Sequence, residues 1–293
     1  MTTLAKSGGS AGKIASGLVK TLVTYLGLRV LLSWVGSTRG WFVALATQVG
    51  LGGDVAKGVG ALGVSLLTIG LILLYVYATG RRNKELGLNL RGAAARYAKG
   101  AGVSVAMIGL IVLLSWACGG VRFVGFGWGS VGVVEFVLLM LLSMLNVREE
   151  LLYRGWMIAD MKSYLPVGVA VVVSAVLFGV AHRHNHYVTP LALPNLVLLG
   201  LFWGLCYVRT GSLWLVMAMH SFWNFAQSRI VGLPVSGSYS QGALVMFEGV
   251  ERGLFATDNF GLEGNLATTL VIVVAMVVVL AKREIRKEQK KER

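Results

Sequence analysis

The stretch NVREELLYRGWMI, residues 146–158, ends a long apolar run and places four charged side chains where the surrounding composition indicates lipid. These are Arg148, Glu149, Glu150 and Arg154. A charged residue at the middle of a membrane helix costs about 2.5–3.5 kcal/mol on insertion scales, so four unpaired ones would cost roughly 10 kcal/mol. The stretch therefore predicts a membrane helix whose charges face partners or water rather than lipid.

The composition of the whole chain supports a membrane protein. Of its 293 residues 56% are hydrophobic and only 14% are charged, and the mean hydropathy is +0.72. A soluble domain would carry about 25% charged residues. The net charge of +14 does not indicate a nucleic-acid partner, because the basic residues cluster between apolar runs, mainly in 81–99 and 282–293. We expect the lipid bilayer as a partner and no nucleic acid.

The apolar runs define the expected helices. A spanning helix needs about 20 mainly apolar residues. Eight segments approach this requirement, and we predict an all-α polytopic membrane bundle of about eight transmembrane helices: 17–36, 59–79, 100–121, 130–158, 165–182, 190–208, 211–231 and 265–281. The predicted organisation is an N-terminus of residues 1–16, a transmembrane bundle of residues 17–281 and a disordered basic tail of residues 282–293.

The charges of the loops predict the orientation of the bundle. With eight spans, both termini and the basic loop 81–99 lie on one side, which the positive-inside rule makes cytoplasmic. The segment 232–264 lies on the opposite side and carries four acidic residues against one basic residue: Glu248, Glu251, Asp258, Glu263 and Arg252. An alternative is that the first apolar segment, which is interrupted by Lys20 and Arg29, lies on the membrane surface, and both termini would then not share a side.

Spacing separates the two neighbouring glutamates of the opening stretch. Glu150 and Arg154 are four residues apart, in the order that favours an ion pair on one helix face. Glu149 lies about 100° away around the helix. The residue four positions after Glu149 is Tyr153, so this carboxylate has no local cation. Glu149 is therefore the candidate for chemistry, and Glu150 with Arg154 is the candidate for support.

Two other apolar segments carry polar side chains at helical spacing. In AVLFGVAHRHNH, residues 175–186, His182 follows Phe178 by one turn, and in MAMHSFWNFAQ, residues 217–227, His220 and Asn224 share a face. A rise of 1.5 Å per residue places Glu149 and His220 about 14 Å, Asn224 about 20 Å and His182 about 25 Å from the cytoplasmic ends of their helices. These groups meet only if the short helix of His182 dips inward.

The chemistry that such a set supports is hydrolysis. A carboxylate, alone or with a histidine, deprotonates a water molecule, and hydrogen-bond donors hold the oxyanion that forms. No serine or cysteine is paired as a nucleophile would be. Direct attack by water is therefore the mechanism that the residues favour.

Three motifs resemble those of a known family. EELLYR at 149–154, FGVAH at 178–182 and HSFWN at 220–224 are similar to the EExxxR, FxxxH and HxxxN motifs of the CPBP family of glutamic intramembrane proteases, which includes the CAAX prenyl endopeptidases and bacterial Abi proteins. The resemblance covers about 123–230 and implies that this region is a catalytic core.

The resemblance also implies roles for the individual residues. Glu149 and His182 would activate the water, and His220 and Asn224 would stabilise the oxyanion. Structural support would come from Glu150, Arg154 and Phe178. No cofactor and no tightly held metal are expected.

The resemblance further implies an intramembrane endopeptidase that cleaves a membrane-embedded or lipid-anchored protein or peptide. It leaves the identity of the substrate open. We expect an integral protein of the bacterial inner membrane, with a site that opens sideways to lipid or toward the cytoplasm.

Other interpretations remain open at the level of sequence. His182, His184 and His186 could bind zinc together with Glu149 if a loop gathered them, although alternate residues do not share a helix face. The buried polar cluster would also suit a transporter or an immunity-type binding protein. Glu135 either lines a water path or lies near the headgroups.

Several apolar and sulfur-containing residues are expected to serve packing. Trp203, Trp214, Trp223 and Phe222 are interpreted as packing or interfacial residues rather than substrate contacts. Cys118 and Cys206 are isolated within apolar segments and show no metal spacing, so we expect both to be small core residues.

Overall fold

The computed structural model describes residues 4–80, 85–127, 132–145, 147–250 and 253–291, with only the backbone described for 4–10 and 282–291. The first half contains α1 (Leu4–Ser37), α2 (Arg39–Gln48), α3 (Gly53–Ala78), α4 (Ala93–Ala117), β1 (Val121–Phe126) and α5 (Val133–Leu145). Next come α6 (148–161, with a π-helical centre at Leu151–Ile158), α7 (Val167–Ala181), α8 (Ala192–Thr210) and α9 (213–230, π-helical at Ala226–Ile230). The chain ends with β2 (Val245–Gly249), a 3₁₀ turn (Leu262–Gly264) and α10 (Leu266–Lys291).

The predicted fold class is confirmed, because 72% of the described residues are helical and long apolar helices dominate. Within the part of the chain that the structure describes, four helical segments are long and apolar enough to cross a membrane: Ala11–Gln48, Gly53–Ala78, Ala93–Ala117 and Ala192–Thr210. The apolar helices Val167–Ala181 and Leu266–Ala281 are shorter. Each of the eight predicted spans overlaps a helix of the structure.

The long predicted span 130–158 is two helices rather than one. Helix α5 ends at Leu145 and α6 begins at Arg148. Between them Val147 has φ −111° and ψ 8°, outside the helical region. The break places Arg148, Glu149 and Glu150 in the first turn of a new helix. The π-helical centre that follows, which contains Arg154, is buried at every position. Short π-helical segments occur frequently at functional sites.

A two-stranded antiparallel ribbon was absent from the all-helical expectation. Strands β1 and β2 pair from Val121–Gly249 to Phe126–Val245, with a register shift between Phe123 and Gly125. Strand β2 lies within the segment 232–264 that the sequence suggested was an outer loop. The ribbon packs its aromatic side chains Phe123, Phe126 and Phe247 on one another, with ring centroids 5.4 Å and 5.7 Å apart.

Glycines bring α7 and α8 into close contact. A Cβ on Gly200 would lie 2.9 Å from the Cα atom of Ala175, and one on Gly204 would lie 2.9 Å from the side chain of Val171. These two glycines form the small-xxx-small pattern that lets membrane helices approach closely. The contact holds Phe178 of α7 and Trp203 of α8 with ring centroids 5.9 Å apart.

Helix α1 runs antiparallel to α6 and is held to it by hydroxyl groups. Thr21 bonds the carboxylate of Asp160, and the hydroxyls of Tyr25 and Tyr153 lie 3.2 Å apart. Arg29 lies one turn after Tyr25, and Glu149 lies one turn before Tyr153. Because the two helices run in opposite directions, Arg29 is level with Glu149. The N-terminal helix therefore borders the charged start of α6.

Two expectations outside the site need correction. Helix α10 continues to Lys291 through most of the tail that we expected to be disordered, because Lys, Arg, Glu and Gln are good helix formers. Cys206 is buried as expected, but Cys118 is exposed at the end of α4. The basic residues Arg81, Arg82 and Lys84 lie outside the described residues.

Candidate active site

One cavity of about 460 Å³ collects all four predicted catalytic residues. Glu149 comes from α6, His182 from the end of α7, and His220 and Asn224 from α9. Phe178, Tyr153 and Trp203 form part of its apolar wall. The remaining lining residues are Arg29, Arg39, Arg148, Ala181, Asn185, Leu196, Leu199, Val235, Ser236, Ser238 and Glu263. The cavity therefore brings together the four residues that the sequence predicted as a set.

Glu149 and His182 face each other inside the cavity. Oε2 of Glu149 lies 3.8 Å from Nε2 of His182, and the Glu149 side chain is one-third exposed. Nδ1 of His182 lies 2.8 Å from the carbonyl oxygen of Phe178, which can only accept, so Nδ1 carries the proton. In the neutral ring, Nε2 is then an acceptor directed at Glu149. The separation is too long for a direct hydrogen bond but suits one water molecule that contacts both atoms.

The helix break explains how His182 reaches Glu149. The depth estimate assumed one continuous helix over 130–158, which placed Glu149 far from the outer end of that helix. In the structure Glu149 lies in the first turn of α6, and His182 directly follows the last turn of α7. The end of one helix therefore meets the beginning of another, and α7 does not need to dip.

Glu150 belongs to a buried network behind the cavity. Its Oε1 atom accepts from Nη1 of Arg154 at 2.7 Å and from Nδ1 of His220 at 2.9 Å. Both Glu150 and Arg154 are fully buried, and Arg154 also donates to the carbonyl oxygen of Gly200 at 3.3 Å. The predicted ion pair is therefore present, but its extension to His220 was not foreseen. Glu150 fixes the ring of His220 and directs Nε2 away from this network.

Aromatic rings hold the histidines and the arginine in place. The ring of Trp203 stacks on His220 with centroids 4.5 Å apart and an interplanar angle of 25°. Phe178 contacts the ring of His182 at 4.8 Å and lies 4.5 Å from the guanidinium carbon of Arg154. Trp203 thus has a packing role, as expected, but it packs on a site residue rather than on lipid.

Asn224 completes the polar wall that α9 contributes. It lies one turn after His220 and lines the same cavity. Its backbone carbonyl accepts from the hydroxyl of Ser228 at 2.8 Å. The side-chain amide and the outer nitrogen of His220 are the donors on this helix that an oxyanion in the cavity could meet.

Sequence reasoning missed a second carboxylate, Glu263, which lies outside the membrane-spanning helices. It is buried, and it accepts hydrogen bonds from the backbone N–H and hydroxyl of Ser236 at 2.8 Å and 2.9 Å and from Trp223 Nε1 at 3.2 Å. Burial raises the pKa of Glu263, and the Ser236 and Trp223 donors oppose this rise. Glu263 fastens the 235–238 turn to α9. Its position in an acidic loop gave no signal of this role.

The zinc alternative is not supported by the positions of its ligands. His184 and His186 are exposed and do not line the cavity. Within the described ranges no group of three or more His, Cys, Asp and Glu side chains is arranged to hold a metal ion. Glu135 of α5 also lies away from the cavity lining.

The cavity lies toward one end of the bundle. Helix α9 begins beside the basic loop, where Leu213 N–H donates to the carbonyl oxygen of Gly87 at 2.9 Å, and His220 and Asn224 follow about two and three turns later. The 235–238 turn and Glu263, which line the cavity, belong to the segment at the opposite end. If the basic loop is cytoplasmic, the cavity is nearer the other membrane face. Of the two openings expected from the sequence, this position favours the one sideways to lipid over the one toward the cytoplasm.

Residues 130–226 match the model of one protein family, described as type II CAAX prenyl endopeptidase Rce1-like. The match covers about a third of the chain and contains all three motifs on which the resemblance was based. The resemblance to this family is therefore confirmed. The family consists of proteases that act on membrane-associated proteins. No curated protein and no solved structure gives a significant match to the chain.

Proposed function

We propose that this chain, whose residues 130–226 match the model of the CAAX protease family, is an endopeptidase that hydrolyses a peptide bond inside the membrane with water activated by Glu149 and His182. The observation that carries the proposal is the 3.8 Å approach of Glu149 Oε2 to His182 Nε2 in a cavity shared with His220 and Asn224. The substrate is a membrane-embedded or lipid-anchored protein or peptide.

The first step is the attack of water on the scissile carbonyl. A water molecule between the two groups loses a proton to the Glu149 carboxylate or to Nε2 of His182 as its oxygen bonds to the carbonyl carbon. The carbonyl π electrons move onto oxygen and form an oxyanion. The second step breaks the C–N bond, and the same proton passes to the leaving nitrogen. The products are a carboxylic acid and an amine.

His220 and Asn224 are proposed to stabilise the oxyanion. Nδ1 of His220 donates to Glu150, so Nε2 can also donate only when the ring carries both protons. The buried Glu150 carboxylate and the stacked ring of Trp203 both fix the orientation of the imidazole, with Nε2 directed away from the buried network. The network behind the cavity thus prepares His220 as a donor.

We propose a bacterial inner membrane with both termini in the cytoplasm. The support is the bias of Lys and Arg toward the 81–99 loop and the tail. With this orientation the substrate reaches the cavity from the side of the 232–264 segment or from lipid. Labelling of single cysteines introduced at Asn89 and at Tyr239 with a membrane-impermeant reagent tests the orientation. We expect only the cysteine at 239 to react in intact cells, and the reverse pattern would contradict the proposal.

The decisive experiment compares new N- and C-termini in the membrane proteomes of cells that express the wild-type chain or Glu149→Gln at equal levels. Termini present only with the wild-type chain would establish proteolysis and identify the substrate. Identical termini under several growth conditions, with the variant stably inserted, would contradict the proposal and favour a transport or binding role for the polar cluster.

A further inference from the structure

Three arginines from different elements line the same cavity as Glu149. Arg148 begins α6, Arg29 lies on α1 and Arg39 begins α2. Arg29 and Arg39 lie outside the matched residues 130–226, so they belong to the part of this chain that the family model does not cover. A cavity with three guanidinium groups is suited to hold an anion.

The charge balance of the cavity leaves room for such an anion. Its acidic lining residues are Glu149 and Glu263, and the Glu263 carboxylate already accepts from Ser236 and Trp223. Glu149 Oε1 lies 4.0 Å from Nη2 of Arg148. Among the residues that the structure describes, neither Arg29 nor Arg39 has a carboxylate within 4.0 Å, and both side chains are exposed.

The positions of both arginines are built into the fold. The Tyr25–Tyr153 hydroxyl contact of 3.2 Å sets the level of α1 against α6 and thereby places Arg29 level with Glu149. Arg39 packs its backbone and Cγ against Gly60 of α3, where a Cβ would lie 3.2–3.3 Å from these atoms. The first contact is made by Tyr25 and the second by the backbone and Cγ of Arg39. Both guanidinium groups therefore remain outside these contacts.

We infer that Arg29 and Arg39 bind a carboxylate of the substrate peptide and thereby position the scissile bond at Glu149. This inference rests on the proposed function and assigns substrate selection to the N-terminal helices. A cavity of about 460 Å³ has the size of a small-ligand site and holds only a short stretch of peptide. The bound carboxylate and the cleaved bond must therefore be close in sequence. The carboxylate is either the C-terminus or an acidic side chain.

Binding to the inactive Glu149→Gln full-length chain tests the inference separately from cleavage. The probes are fluorescent, N-terminally palmitoylated short peptides whose randomised positions exclude Asp and Glu. They are prepared with a free C-terminal carboxylate, with a C-terminal amide, or with an amide and one internal Glu. We expect one carboxylate form to bind about tenfold more tightly than the plain amide. Which form does so identifies the source of the carboxylate.

The arginines are then replaced in the same background. Arg29→Gln with Arg39→Gln should abolish the preference, and Arg29→Lys with Arg39→Lys should retain most of it. Arg91→Gln with Lys99→Gln, at two exposed basic residues outside the cavity lining, is the control with the same change of charge and should change nothing. A thermal melt in detergent shows whether the double Gln variant is folded. If it is not, the peptide preference is measured in the double Lys variant and in the two single Gln variants instead.

Two outcomes would overturn the inference. In the first, the carboxylate peptides bind no more tightly than the plain amide, or they still bind more tightly after both Gln substitutions. In the second, mass spectrometry finds an anionic phospholipid bound to the parent protein but not to the Gln variant, while peptide binding is the same in both. The arginines would then bind lipid rather than substrate. If Glu149→Gln changes no cellular termini but the peptide preference depends on the arginines, the proposed proteolysis fails and the carboxylate site stands.

Discussion

Two carboxylates that are adjacent in sequence occupy opposite surroundings in this protein. Glu150 is completely buried and accepts from Arg154 and His220, whereas Glu149 is one-third exposed in the cavity and lies 3.8 Å from His182 Nε2 and 4.0 Å from Arg148 Nη2. The difference follows from the 100° rotation between successive helix residues, which turns one side chain to the core and the next to the cavity. One glutamate therefore supports structure, and the other is available for chemistry.

The largest effect is expected from Glu149→Gln, which removes the proposed general base. Peptide cleavage should fall by about 10²–10⁴-fold, the range typical of general acid–base groups. Unfolding should change little because the side chain is partly exposed and makes no close ion pair. The measurement is substrate cleavage at equal protein level, with Glu135→Gln outside the cavity as the matched control. Equal cleavage by Glu149→Gln and Glu135→Gln would show that Glu149 has no catalytic role that Glu135 lacks.

Glu150→Gln should act on stability. It leaves the Arg154 guanidinium buried without its counter-charge, which typically costs about 3–5 kcal/mol. Unfolding in a mixed detergent titration measures the loss. The double variant Glu150→Leu with Arg154→Met removes both charges and should recover most of the stability. It should not recover activity, because His220 then lacks its carboxylate. A stable but inactive Glu150→Gln protein would contradict this division.

Asn224→Ala should reduce the turnover number by about 10²–10³-fold, as the loss of one oxyanion donor does. The Michaelis constant should change little because this donor acts in the transition state. Steady-state kinetics on the substrate identified from the cellular termini would measure both constants. Asn259→Ala, at a position outside the cavity lining, is the control. A change confined to the Michaelis constant would instead assign Asn224 to substrate binding.

The smallest effect is expected at Glu263, the third carboxylate of the region. Glu263→Gln should cost about 1–3 kcal/mol of stability because the Ser236 and Trp223 donors lose a charged acceptor. Burial raises the pKa of Glu263 above its ordinary value of 4.5, so the folded state binds more protons than the unfolded state near that pH. Stability from this group therefore decreases as pH rises through this window.

Melting curves at several pH values measure this effect. The wild-type chain and Glu263→Gln should differ in their pH dependence within the window above pH 4.5. Identical pH profiles would show that Glu263 contributes nothing through its ionisation. Such a result would leave the turn 235–238 held by other contacts.

Local patterns predicted the membrane helices and the four candidate residues that the structure brings into one cavity. A run of about 20 apolar residues is sufficient to predict a spanning helix because lipid allows few alternatives. The spacing of Glu150 and Arg154 predicted their ion pair because both residues belong to one helix. The helix break at Val147 was not predicted, since residues 133–154 contain no Pro or Gly, and Asn146, a residue type favoured at helix caps, was a weak local signal.

Long-range partners could not be predicted from the same patterns. The contacts of Glu150 with His220 and of Glu263 with Ser236 and Trp223 join residues 27–70 positions apart. The cavity lining by Arg29 and Arg39 likewise depends on how α1 and α2 dock. None of these contacts has a local periodicity, so only the packing of helices determines them.

The sequence by itself indicated a helical membrane protein and singled out Glu149, His182, His220 and Asn224 as candidates for chemistry, because hydropathy and i, i+4 spacing are local properties. The tertiary structure decided which atoms meet. Glycine contacts bring α7 against α8, and the break at Val147 begins α6 beside the end of α7. Helix ends can be arranged in many ways at similar local energy, and only the packing of the complete bundle selects one.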